Sequence, residues 1–286
     1  MSEKYSVLMS VYKNDKPEWF ETSLQSMLNQ TIKPDQIVLV VDGQVPNALD
    51  EKIDQMCKDN NCIELYRNET NIGLGLTMQK GVELCKNELI ARMDSDDYSK
   101  PNRIEIQLDE MKEKDLDLIG CQVEEFVDDI DNVVSIHNVP VGQKNIEKYS
   151  KQRNPFCHPS VVFKKSKVLL SGNYLDMKLC EDYYLWIRML QHGCAMDNCS
   201  QALLEMRVTK DLYARRGGYK YFKSQKKLFK YMKKTKYIDL ITYLKILLTR
   251  FAVQVLMPNK LRQKFYEKKL RKNGLDVKNK WNRKKF

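Results

Sequence analysis

Along the first 115 residues the apolar positions switch repeatedly between a strand period and a helix period. Tyr5–Val11 reads as a strand, after which Phe20, Leu24, Met27 and Leu28 recur at helical spacing. The run Ile37–Val41 is continuously apolar, as in a strand buried on both faces, and Leu49, Ile53, Met56 and Cys57 mark a second helix. Ile63–Arg67 is a third strand, Leu74–Cys85 a third helix and Glu88–Met93 a fourth strand. A helix from Pro101 then carries Ile104, Leu108 and Met111 on one face. Repeated β-α units predict an α/β fold with a mostly parallel sheet and flanking helices. Right-handed crossovers bring the loops after the strands to one edge.

From Asp117 the pattern changes. Leu118–Phe126 reads as a strand, residues 128–153 as a polar segment, and His158–Phe163 as another strand. Glu181–Gln191 is a helix and Leu203–Arg207 a last strand. Tyr219–Lys236 is helical and dense in Lys, Tyr and Phe. Ile238–Met257 has 14 apolar or aromatic residues of 20, interrupted by Asp239, Lys245 and Arg250. A spanning helix needs about 20 predominantly apolar residues. The charges, with Thr242, Lys245 and Thr249 near one side, instead favour a helix lying in a membrane interface; the alternative is a helical hairpin packed on the body. Leu261–Lys272 reads as a second basic amphipathic stretch.

Charge sharpens this division. Residues 210–286 hold 25 Lys/Arg against four Asp/Glu, a balance of +21, whereas residues 1–209 hold 24 against 34, a balance of −10. A basic tail on an acidic body calls for an anionic surface, whether lipid, lipid-linked phosphate or nucleic acid. The eight cysteines include no C-x-x-C pair and no matching histidine spacing, so they read as thiols of a reducing cytoplasm rather than a zinc site. No apolar leader follows Met1, and a cytoplasmic protein is the expectation.

The densest candidate chemistry is Ala91-Arg-Met-Asp-Ser-Asp-Asp97. Asp94 and Asp96 are two apart and face one way on an extended backbone. Hard carboxylate oxygens suit Mg²⁺ or Mn²⁺, although a solvated acidic turn has the same composition. Three further polar loops end the other strands: Ser10–Tyr12, Asp42-Gly43 and Asn68–Gly73. Glu181-Asp182 opens a helix, where carboxylates are favoured as caps.

In this order, Tyr5–Tyr12, Ser26–Gln30, Val41–Gly43, Asn71–Gly73, Arg92–Asp97, Asn154–Ser160, Cys180–Trp186 and Arg215–Gly218 resemble family 2 glycosyltransferases, over about residues 4–220. The likeness is to the branch that builds bacterial capsule, exopolysaccharide and O-antigen repeat units. It implies a GT-A fold, a UDP-sugar donor, and a catalytic domain over 1–210 with a nucleotide half (about 1–115) and an acceptor half (116–210). Residues 211–286 would then form a basic helical membrane-associating tail. By the same resemblance, Asp94 and Asp96 hold the nucleotide and the Mn²⁺ or Mg²⁺ ion. Ser10, Tyr12 and Asp42 cradle the uridine, with Asn71, Gly73, Arg92 and Ser95 beside the nucleotide. Asp182, with Glu181 second, serves as base. Asp97, His158 and Trp186 fall toward substrate. Arg215 and Arg216 suit a diphosphate. Ordinary turn, ion-pair, core-histidine and basic-surface roles stand as alternatives for Asn71–Gly73, Arg92, His158 and Arg215-Arg216.

The expected activity is inverting, metal-dependent transfer of galactose or glucose to a polyprenyl-diphosphate-linked sugar, peripheral to the inner face of the plasma membrane. A nucleotidyltransferase on a similar sheet is the second enzyme reading, weakened because the loop Ser10–Asn14 has no glycine. A nucleic-acid binder using the tail ranks third, and no nucleic-acid partner is expected.

Overall fold

The computed structural model describes residues 3–209, 217–258, 261 and 271–273. The four expected parallel strands form as β1 (Tyr5–Val11), β2 (Gln36–Asp42), β3 (Ile63–Asn68) and β4 (Leu89–Asp94), in the order β3-β2-β1-β4. Helices α1 (Pro17–Leu28), α2 (Asn47–Asp59) and α3 (Leu74–Leu84) make the crossovers, and α4 (Arg103–Glu113) follows β4. β1 and β2 are buried almost throughout, which is why their apolar runs are unbroken. The strand order reverses between β1 and β4, where Ser10 pairs in register with Asp94. On the other side of β1, Asp42 pairs with Asn68. The four carboxyl ends therefore share one edge, and a crevice opens at the reversal.

The second half is mixed. Tyr98–Ser99 (β5) is a two-residue strand, and β6 (Leu118–Phe126) is its long axis. β6 pairs antiparallel with β7 (Val133–His137) and β8 (Val162–Lys164), and β8 joins it antiparallel to β4. The polar segment 128–153 thus holds β7 and the helix α5 (Gln143–Ser150), neither of which was expected. α5 buries only Ile146 and Ser150, too thin an apolar stripe to register as a period. His158–Phe163 is a strand only from Val162. Its start is a 3₁₀ turn, His158–Ser160, with Pro159 in a position that needs no donor. α6 (Lys165–Leu170) and α7 (Glu181–Gln191) follow.

The last expected strand, Leu203–Arg207, is the end of the twelve-residue β9 (Met196–Arg207). It runs parallel to β6, with register shifts at Cys121–Val123 that hid its continuity. The cysteines are all unpaired.

The tail is not a free appendage. α8 (Gly218–Lys234) and α9 (Leu240–Phe251) lie against α7. Leu228, Phe229, Met232, Ile238 and Ile246 close a third apolar cluster over Cys180, Tyr183 and Ile187. A π turn, Ala252–Leu256, continues α9. Of the expected amphipathic stretch Leu261–Lys272, Leu261 is helical, but Arg271–Asn273 forms β10, an antiparallel edge on β7. Backbone pairing on the sheet edge excludes a helix running through 272; residues 262–270 lie outside the described residues. Among the described residues no helix is long and apolar enough to cross a membrane.

Candidate functional site

The crevice begins at Asp42. Its carboxylate accepts from Asn68 Nδ2 (3.1 Å) and the backbone N–H groups of Ile72 (2.9 Å) and Gly73 (3.0 Å), while Asn71 Nδ2 donates to its carbonyl (3.1 Å). Asp42 therefore anchors the Asn71–Gly73 loop. Gly43, at φ +84°, lets that loop close, because a Cβ there would stand 2.6 Å from the Asn71 nitrogen. Ser10 lies partly exposed at the end of β1, and Tyr12 is exposed.

Across the reversal, Asp94, Asp96 and Asp97 each bring one carboxylate oxygen within 4.8 Å of the others. Burial pushes the Asp96 carboxyl up to about 7, helped by Asp94 and Asp15. Burial, then Asp96 and Asp94, lifts Asp97 well above the usual carboxylate range. Asp97 Oδ1 accepts from the Arg207 N–H (2.9 Å), but its buried Oδ2 has no hydrogen-bond partner among the described residues. Crowded, desolvated carboxylates with a spare buried oxygen are a donor set that fits a hard divalent cation.

Arg92 lies behind this cluster, 1% exposed and ion-paired with Asp94. Its Nε and Nη1 have no hydrogen-bond partner among the described residues. Its charge lowers the carboxyl pKa of Asp96 and Asp97 on one side and of Glu181 and Asp182 on the other. One buried guanidinium thus joins both acidic groups electrostatically.

Glu181 and Asp182 form the first turn of α7. Burial and Asp182 push the Glu181 carboxyl up to about 7. Burial also raises Asp182, against the Tyr183 N–H and the Asn154 amide, whose Nδ2 donates to Asp182 Oδ2 at 2.6 Å. α3 packs close beside this turn: a Cβ on Gly75 would meet Leu175 O at 2.9 Å and Glu181 Cβ at 3.2 Å. His158 Nε2 pairs with Tyr174 OH at 2.9 Å, and burial plus Arg92 keep the imidazole neutral, far below its usual pKa. Trp186, expected toward substrate, is instead fully buried among Phe156, Phe163, His158 and Tyr174. It forms the wall behind His158, because its position on α7 faces the sheet. Arg215 and Arg216 lie outside the described residues.

Five contributors were not singled out from the sequence. Asp15 accepts from the Tyr12 N–H (2.9 Å) and Ser95 Oγ (2.8 Å), tying the first loop to the acidic one, and burial raises it to about 6. Arg207 donates to Asp97, to Asp96 O (3.2 Å) and to Asp128 O (2.7 Å). Its guanidinium lies over the rings of Trp19 (4.6 Å) and Phe126 (4.5 Å). Tyr174 and Gly75 carry no sequence signal. Asn154 stands within a quoted motif, and a lone cation ending an apolar strand was the available signal for Arg207.

A parallel sheet with its acidic loop at the strand reversal, facing a buried carboxylate pair, defines a GT-A nucleotide-sugar transferase fold. Residues 6–169 match Glycosyl transferase family 2, and the chain belongs to that family. The chain is 37% identical over 270 residues to the UDP-Gal:alpha-D-GlcNAc-diphosphoundecaprenol beta-1,3-galactosyltransferase of Escherichia coli, covering 94% of this chain and 97% of that protein. It is 35% identical over 265 residues to the amylovoran biosynthesis glycosyltransferase AmsE of Erwinia amylovora, covering 92% and 98%. A crystal structure of S. aureus TarS 1–349 in complex with UDP-GlcNAc shares the fold, with TM-score 0.66 at 14% identity, covering 93% of this chain and 76% of that one.

Proposed function

We propose that the protein is an inverting hexosyltransferase moving galactose or glucose from a UDP-sugar to a polyprenyl-diphosphate-linked sugar in bacterial surface polysaccharide synthesis. The observation that carries this reading is the buried Arg92 between two acidic groups, one suited to a cation and diphosphate, the other to a base. The printed activity of the E. coli relative supports UDP-galactose as first donor to test and a GlcNAc-diphosphate lipid as first acceptor.

In this scheme Ser10, Tyr12, Asp42 and the Asn71–Gly73 loop hold the uridine, in the half spanning about residues 1–115. Asp94 and Asp96 would hold Mn²⁺ or Mg²⁺, with Asp97 and Ser95 supporting them. The ion supplies Lewis-acid neutralisation of the diphosphate leaving group. Asp182, oriented by Asn154, takes the proton of the acceptor hydroxyl; the hydroxyl oxygen bonds to the sugar's anomeric carbon as the bond to UDP breaks. One base without a separate nucleophile gives inversion. Neutral His158, within the acceptor half at residues 116–210, lies toward the substrate, and Arg215-Arg216 suit the lipid diphosphate. The basic tail, 211–286, draws the enzyme to the cytoplasmic membrane face.

The test is UDP release from a panel of UDP-sugars with a synthetic GlcNAc- or GalNAc-diphosphate lipid, with and without chelator. Release with one UDP-hexose, lost on chelation, is expected. No release with any donor overturns the proposal.

A further inference from the structure

α9 is apolar on the side that faces away from the protein. Its inner side is accounted for: Ile246 is buried against Leu228, Phe229 and Met232, and the Arg250 guanidinium lies 4.8 Å over the Phe229 ring while donating to Gln152 O (2.6 Å). Yet Ile241 is 80% exposed, Leu248 72%, Leu240 53% and Leu244 49%. At 3.6 residues per turn these four fall within an arc of about 100°. Leu256, 66% exposed on the π turn, extends the apolar surface beyond the helix end. A contiguous apolar surface of this kind marks a contact with something.

The surrounding charge selects the partner. Residues 217–258 carry ten Lys/Arg and one acid, Asp239, which is spent capping α9 by accepting from the Thr242 N–H (2.6 Å). Lys245 flanks the apolar arc, and α8 exposes Lys220, Lys223, Lys226, Lys227 and Lys230. A second copy of the chain would bring the same cations against these. Residues 262–286, with eleven Lys/Arg against two acids, would do the same. An anionic bilayer offers the opposite charge at its headgroups and an apolar layer directly beneath them.

We infer that the outer face of α9, centred on Ile241, Leu244 and Leu248, inserts into the headgroup–acyl boundary of an anionic membrane, with the lysines of α8 and Lys245 on the lipid phosphates. Membrane attachment is then apolar as well as electrostatic. The inference rests on the proposed lipid-linked acceptor for its purpose, while its observations are independent of the donor. It also has a geometric consequence. α8 and α9 pack on α7 through Tyr183 and Ile187, and the same helix begins with Glu181-Asp182. The docked surface is therefore rigidly linked to the helix that presents the base.

The experiment uses the full chain, sedimented with phosphatidylglycerol-containing or pure phosphatidylcholine vesicles at low and high salt. The variant I241S/L244S/L248S changes only exposed positions, and its melting temperature checks folding. The wild type is expected to bind the anionic vesicles, with a residue of binding surviving high salt. The variant should bind at least tenfold more weakly and lose transfer to a vesicle-embedded acceptor while keeping it toward a short, water-soluble one. Wild-type binding by the folded variant, or no vesicle binding by the wild type, overturns the inference. So does a wild-type dimer that the variant converts to monomer with vesicle binding unchanged. Vesicle binding involves no donor, so failure of the UDP-release assay leaves this result readable.

Discussion

Asp182 and Asn154 make the base assignment testable at a single bond. Asp182→Asn keeps the shape of the carboxylate and removes its proton affinity. UDP-sugar affinity should stay within about twofold, while kcat falls about 10²–10⁴-fold, as for loss of general base catalysis. Normal turnover by that variant would sink the assignment. The pH dependence follows from burial. Glu181 is pushed up to about 7 and Asp182 is raised with it. A raised carboxyl pKa means a protonated, incompetent base below it, so kcat should rise with pH as Asp182 ionises and level off once it is charged. A rate that is flat from pH 5.5 to 8.5 argues against both acids. Arg207 acts through the acidic loop, making it a positioning residue. Arg207→Ala should weaken Mn²⁺ binding about 10–100-fold, in the range for residues that orient metal ligands. Arg207→Lys should recover little, since a compact ammonium cannot reach both Asp96 O and Asp128 O as the planar guanidinium does while stacking between Trp19 and Phe126.

At the level of elements, the contact between α3 and α7 decides where Glu181 and Asp182 stand. The first turn of α3 approaches α7 so closely that Gly75→Ala must move Leu175 or Glu181. Overpacking of this kind costs about 1–3 kcal/mol. The expected result is a lower melting temperature together with a kcat loss larger than any change in UDP affinity, separable by calorimetry with UDP alone. β6 has a comparable role on the other side. It carries β9 along its length, and β9 delivers Arg207 to the acidic loop. The strand periods of β1, β2 and β4 were legible because both faces are buried. β7, α5 and the first half of β9 were not, because edge strands, bulges and a helix with one apolar anchor leave no clean period.

Across the whole molecule, function is set against stability. Asp15, Asp96, Glu181 and Glu205 are all raised chiefly by burial, to about 6 for Asp15 and about 7 for the others. A folded pKa above the unfolded value means the folded state binds protons more tightly. These groups therefore favour folding at low pH and penalise it progressively, reaching the full penalty above about 7. A divalent cation neutralising the acidic loop offsets part of that penalty. Differential scanning fluorimetry should show Mn²⁺ raising the melting temperature more at pH 8 than at pH 5.5, and raising it less in Asp96→Asn. An equal shift in that variant would place the ion elsewhere.

The sequence by itself determined the parallel half of the sheet, the polar loops at one edge, the acidic loop and the carboxylate pair, because burial on a regular backbone imprints a period and charge density shows in the chain. Only the tertiary structure decided what those groups touch. It made Asp15 a tie between loops and placed Trp186, expected toward substrate, in a buried wall. It brought Arg207 from 110 residues away to Asp97. It also folded the basic tail back onto α7, leaving one face of α9 bare. Contacts between residues distant in sequence depend on which faces pack together, and no local pattern records that choice.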